Sequence, residues 1–225
     1  MNYRVGCKNF DLHDKRVKTI GQGYTGNVYQ YGDNALKIFD TEESIIDEET
    51  ARYLTNIRTS RILLPKKLVY YKDKFKGYTM KLVSTKHKSK NLISISKNDL
   101  LDNIEMLEED VSLLSNKRVL LNGMSPDNTI YNGNLYITDP SKYSILDSMD
   151  YDNIQNLDIL NKFQLYLLLN NLIIRELNKI QIQYPGVNHL KKILDERDKD
   201  IDYSSYLDEV IGDNTSIKSL VKKMR

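Results

Sequence analysis

The chain has 225 residues, 28 % of them charged and 40 % hydrophobic, enough to bury a core as one large domain or as two small lobes sharing a cleft. A formal net charge of +2 gives no case for nucleic-acid binding, and the single cysteine, Cys7, excludes an internal disulfide and fits a reducing, cytoplasmic compartment. Residues 1–15 are polar and lack the apolar region of a secretory signal, so none is expected. His13, His87 and His189 have no metal-ligand spacing, and neither a Ser/His/Asp order nor G-x-S-x-G occurs.

Arg16 to Ile20 reads as a strand, followed by Gly21-Gln22-Gly23-Tyr24-Thr25-Gly26-Asn27-Val28. Asn27 to Tyr31 reads as a second strand, Gly32-Asp33-Asn34 as a turn, and Ala35-Leu36-Lys37-Ile38-Phe39 as a third strand. A glycine-rich loop between two strands differs from the dinucleotide-binding arrangement, where the glycines open a helix. Its glycines let the backbone approach phosphate oxygens, where a Cβ would obstruct. An incidental glycine-rich hairpin is the competing reading.

Thr41 to Ile57 reads as a helix, with Thr41 as N-cap and Glu42 and Glu43 in its first turn. Ile46, Glu49, Thr50, Tyr53 and Ile57 share one stripe, so Glu49 is expected to face inward and to need a cationic partner, for which Lys37 is placed. Glu48 is the alternative partner if the helix phase is shifted, and a solvated acidic face is the alternative for both. Lys67 to Tyr71 and Gly77 to Val83 complete an expected five-stranded antiparallel sheet. Asn98 to Ser115 is amphipathic, with Leu100, Leu101, Ile104, Leu107, Val111 and Leu114 on one stripe.

Val119 to Tyr131 is an apolar strand running into Ser125-Pro126-Asp127-Asn128 and a further strand. Asn132-Gly133 signals a hairpin turn, and Leu135 to Ser141 carries the returning strand and Asp139. Leu157 to Ile182 is the most apolar stretch, but Asn161, Lys162, Gln164, Asn170, Asn171, Arg175 and Glu176 interrupt it, so a buried helix is expected and not a membrane span. Asp158 near its start is a candidate anchor for the preceding loop backbone. Shorter helices are expected at His189 to Arg197 and Tyr206 to Val210, with a basic last turn over Ile217 to Arg225.

In order and spacing, over most of residues 16 to 180, the chain resembles the protein-kinase-like superfamily, and its small, divergent bacterial members in particular. The resemblance implies a bilobal α+β fold, with a small antiparallel sheet lobe over residues 1–83 and a mainly helical lobe over residues 84–225. It implies ATP and Mg²⁺ as cofactors. Gly21, Gly23 and Gly26 would cover the phosphates, and Val28 would pack on the adenine. Met80 to Val83, with Met80 and Leu82 lining the base, would form the hinge. Lys37 would contact the α- and β-phosphates, Glu49 would brace it, and Asn128 and Asp139 would hold Mg²⁺ through hard oxygen ligands.

The pattern departs from the family in the loop before Asn128. Counting back, Gly123 stands where the catalytic Asp belongs, Asn122 where the Arg belongs and Ser125 where the Lys belongs; Pro140 and Ser141 follow Asp139 in place of Phe and Gly. Asp127 is a weak substitute. The segment Lys142 to Asn156, with Asp147, Asp150 and Asp152 around Tyr151, reads as a short activation segment or a solvated loop. These features fit an atypical or weak phosphotransferase acting on a protein hydroxyl. They also fit a catalytically impaired nucleotide-binding module with a protein partner, or a small-molecule phosphotransferase.

Overall fold

In the computed structural model residues 2–15, 17–23, 25–40, 46–84, 95–148 and 150–178 are described, and they form an α+β fold. Its sheet half comprises β1 (Asn2–Val5), β2 (Lys8–Asp11), β3 (Lys18–Gly23), β4 (Gly26–Tyr31), β5 (Asn34–Phe39), β6 (Lys67–Tyr71) and β7 (Lys74–Lys81). Short helix α1 (Glu48–Leu54) lies between β5 and β6. The seven strands make one antiparallel sheet in the order β2-β1-β6-β7-β5-β4-β3.

Five of these strands were expected from the sequence; the hairpin β1–β2 was not. Its strands are short, but Tyr3, Val5 and Phe10 alternate with polar residues and point to one side. They pack with Leu36, Ile38 and Val69 into a second apolar cluster on the back of the sheet. The sheet curls, bringing Phe10 within 5.1 Å of the Tyr31 ring centroid.

Five residues line up across the opposite face. Gly21 pairs with Val28, Val28 with Lys37, Lys37 with Tyr78, and Tyr78 with Leu68. Cross-strand partners project to the same side, so this row lies on the face that packs against the rest of the molecule. Ala35 and Met80 are neighbours on that face, and both are buried in the main core.

The helical half begins with α2 (Lys97–Asn116), capped by Ser96, whose hydroxyl accepts from the Asp99 N–H. Leu100, Ile104, Leu107, Val111 and Leu114 are buried as its periodicity demands, with Leu101 half-buried. After it come β8 (Val119–Leu120), a 3₁₀ turn at Pro126–Asn128, the hairpin β9 (Thr129–Tyr131) and β10 (Leu135–Ile137), then β11 (Ser144–Ile145), which pairs back to β8. Helix α3 (Tyr151–Asn178) starts earlier than the apolar stretch suggests, because the Asp150 carboxylate accepts from the Asn153 N–H and begins the first turn there. The helices expected at His189 to Arg197, Tyr206 to Val210 and the basic last turn lie outside the described residues, as do His87, Thr41 and the end of the Leu157 to Ile182 stretch.

Backbone pairing and a buried carboxylate are among the contacts that join the halves. The segment Arg61 to Leu63 runs alongside β10, exchanging Leu63 N–H to Ile137 O at 2.7 Å and Ile137 N–H to Arg61 O at 3.0 Å. Asp110, buried in α2, accepts the backbone N–H groups of Ser60, Arg61 and Ile62 at 2.8, 2.6 and 2.8 Å. A buried carboxylate is costly unless hydrogen bonds compensate it, and these three amides do so.

Candidate functional site

Lys37 projects from the centre of β5 on the inner face and is only 4 % exposed. Its ammonium is ion-paired with Asp139, which follows β10 more than one hundred residues later in the chain. The same Asp139 oxygen, Oδ1, receives the Tyr78 hydroxyl at 3.4 Å, and Tyr78 sits directly across from Lys37 on β7. Burial, with the Asp139 charge next, holds the Tyr78 hydroxyl well above its ordinary pKa, so it stays protonated and can only donate to the carboxylate. Tyr143 is raised by the same two causes in that order.

Asp139 is a backbone outlier, with φ at +63°. Left-handed conformation is uncommon outside glycine, and here the surroundings over-determine it. Thr138, just before it, donates from N–H and hydroxyl to the Asn128 carbonyl at 2.7 and 3.0 Å. The open end of the hairpin β9–β10 thus sets the Asn128 backbone against Thr138, one residue before Asp139. Asp139 Oδ2 has no protein hydrogen-bond partner among the described residues, leaving an oxygen for another ligand.

Among the described residues, no group of three or more His, Cys, Asp and Glu side chains gathers to hold a metal alone. A carboxylate beside a carboxamide suits the hard cation Mg²⁺, which keeps waters and takes its remaining ligands from phosphate. The fold brings the backbones of the two residues near each other, through Thr138 and the Asn128 carbonyl.

Glu49 is not brought to Lys37. It is exposed, and Lys37 pairs with Asp139 instead. The described helix begins at Glu48, capped by Asp47, whose carboxylate accepts from Thr50 N–H and hydroxyl, both at 2.7 Å. Ile46 and Ile57, which fixed the expected phase, flank this helix rather than belong to it. The buried face is Thr50, Ala51 and Leu54, which turns Glu49 outward. Glu48 is not the partner either: it accepts from Arg52 at 2.5 Å and from Tyr70 at 2.8 Å. Those two hydrogen bonds, Tyr70's foremost, lower its pKa.

The glycine-rich segment is the β3–β4 hairpin itself, and its glycines differ in kind. Gly26 has φ +154°, and a Cβ there would lie 2.1 Å from the Ile38 carbonyl oxygen, so strand pairing alone demands glycine. Gly21 and Gly23 have ordinary backbone conformation, and a Cβ at either would meet nothing nearer than 3.7 or 3.6 Å. The fold does not require glycine at 21 or 23. Val28, between Gly21 and Lys37 in the row, is half-buried; Met80 is buried and Leu82 half-buried where β7 ends.

Asp158 does not anchor the loop ahead of Asn128; it forms an i,i+4 pair with Lys162. Asn161, one turn on and fully buried, does so instead. Its Oδ1 accepts from Leu121 N–H at 2.8 Å, and its Nδ2 donates to Val119 O at 2.8 Å and Ser115 Oγ at 3.0 Å. Asn161→Asp would set an oxygen against the Val119 carbonyl in a dry site. It is expected to cost about 2–4 kcal/mol, measured by chemical denaturation. Unchanged stability would contradict this hydrogen-bond arrangement. Asp127, the weak substitute for the missing loop carboxylate, is bound 3.3 Å from Arg175 of α3.

No family model matches this chain, and no curated protein matches it. Among the described residues, no helix is long and apolar enough to cross a membrane.

Proposed function

We propose that this protein binds ATP and Mg²⁺ as a bilobal, protein-kinase-like chain and acts as an atypical or weak phosphotransferase on a protein hydroxyl. The observation that carries this reading is the Lys37–Asp139 ion pair. It sets a sheet lysine behind a glycine hairpin against the one carboxylate of an Asn–Asp pair. Gly21, which borders a break in the β3–β4 register, and Gly23 fit this reading, since a strand glycine leaves room for close approach by a ligand. Val28, Met80 and Leu82 supply apolar surface for a base beside that lysine.

Bound MgATP would bring the transferable phosphoryl group and a cation that neutralises its oxygens. Lys37 would hold phosphate oxygens, and Asn128 and Asp139 would offer the cation two hard oxygens. Tyr78 would keep Asp139 oriented through its obligate donor hydroxyl. No described loop residue is placed to accept a hydroxyl proton, which forgoes a factor of roughly 10²–10⁴ in rate. Gly123 and the tethering of Asp127 to Arg175 thus favour a second reading, a nucleotide-binding regulatory module without transfer.

ATP with Mg²⁺ at one hundred times its Kd should stabilise the native protein by about 2.7 kcal/mol. For a chain of this size that raises Tm by roughly 5–10 °C. Lys37→Met and Asp139→Asn should each remove the shift, read against that variant's own nucleotide-free Tm. If millimolar ATP, ADP and GTP all leave the wild type unmoved with Mg²⁺ and with Mn²⁺, the reading is wrong. A normal shift without ³²P transfer to protein acceptors selects the regulatory module.

A further inference from the structure

Lys142 lies three residues beyond Asp139, exposed between buried Ser141 and Tyr143. Its backbone is fixed, because Tyr143 N–H donates to Pro140 O at 3.0 Å and the next residues pair with β8. The Lys142 stem runs along the bare face of Gly123. A Cβ at position 123 would stand 2.5, 3.1 and 3.2 Å from its Cδ, Cβ and Cγ. Gly123 itself has φ +74°, a conformation that side chains rarely adopt.

The stretches 123–128 and 138–142 therefore run side by side and are held at both ends. Thr138 bonds to Asn128 at one end, and Lys142 covers Gly123 at the other. Between Asn122 and Asn128 there is no Lys or Arg. Lys37 is buried and already paired, whereas Lys142 makes no ion pair among the described residues. Three residues span at most about 11 Å, so a phosphate held by a cation at Asp139 would lie within range of the Lys142 ammonium on its long stem.

Resting on the ATP-binding reading, we propose that Lys142 binds the terminal phosphate of the nucleoside triphosphate. Residue 123 is bare because the lysine stem fills the space that a side chain would take there. The cation missing from the loop arrives from the neighbouring segment, and residues 123 and 142 work as a unit. An aspartate at 123 would meet that stem and pair with the ammonium. It would not stand free as a base.

The test is calorimetric titration of MgATP and MgADP into wild type, Lys142→Met, Lys142→Arg and Lys142→Ala. Methionine keeps the stem over Gly123 and removes the charge. A lost charge-assisted contact should weaken MgATP about ten-fold and leave MgADP within about two-fold, with arginine restoring most of the difference. If methionine binds MgATP like wild type, or weakens both nucleotides equally, the proposal falls, and loss confined to alanine would assign the stem a packing role only. Wild-type binding that is abolished by Asp139→Asn yet indifferent to Lys142→Met sinks this inference and spares the ATP reading. No wild-type binding to either nucleotide overturns both.

Discussion

Asp110→Ala is expected to lower Tm by roughly 6–12 °C without altering the residues proposed to meet nucleotide. The carboxylate accepts three consecutive backbone N–H groups, from Ser60, Arg61 and Ile62. Ile62 is buried, and its amide would be left without an acceptor; those of Ser60 and Arg61 lie nearer solvent and can find water. Hydrogen bonds to a charged group contribute about 1.5–3 kcal/mol each, and partial rehydration brings the sum to about 3 kcal/mol. The Arg61–Leu63 segment also pairs with β10, which ends one residue before Thr138 and two before Asp139. Loosening it should lower protection of the Leu63 and Ile137 amides in hydrogen exchange. A melting curve that superimposes on the wild type would show that Asp110 does not hold this crossing.

The second large effect separates the glycines of the β3–β4 hairpin. Gly26→Ala places a methyl 2.1 Å from the Ile38 carbonyl oxygen and 2.9 Å from Phe39 Cα, so the β4–β5 ladder must shift or break. Strain at φ +154° adds to the clash, and a loss of about 3 kcal/mol or more is expected. Gly21→Ala and Gly23→Ala should instead leave stability within about 1 kcal/mol of wild type, because their backbones suit any residue. Their effect belongs in nucleotide affinity, which should fall in both. Thermal melts with and without MgATP read both quantities. Equal melting temperatures for Gly26→Ala and Gly21→Ala would contradict the strand register; unchanged affinity in Gly21→Ala and Gly23→Ala would remove these glycines from the site.

Much of the arrangement was legible because its signals are local. The glycine hairpin, the A-x-K strand, the Asn-Gly turn and the stripe of α2 each occupy a few consecutive residues, and each folds as its pattern implies. The helix bearing Glu49 misled because Ile46 and Ile57 were counted into a periodicity that Asp47 interrupts by capping. Asn103, Asp110 and Asn161 went unassigned although a signal existed. All three fall on the apolar stripes of their helices, and a polar residue there needs a fixed partner. Asn103 indeed accepts from Leu135 N–H of β10 at 2.6 Å, as Asp110 accepts from Ile62 N–H and Asn161 from Leu121 N–H. Lys142 over Gly123 had no local signal, since only the fold places residue 142 against residue 123.

The β1–β2 hairpin also bears on the order in which the chain can fold during synthesis. Tyr3, Val5 and Phe10 emerge before all of their cover is made, since it includes Val69 of β6, with which Val5 also pairs. Until residue 71 has left the ribosome, β1 lacks the strand it pairs with, and its apolar side chains have only part of their cover. At synthesis rates of about 5–20 residues per second that interval lasts several seconds, longer than hairpins need to form and long enough for exposed apolar surface to meet a chaperone or another nascent chain.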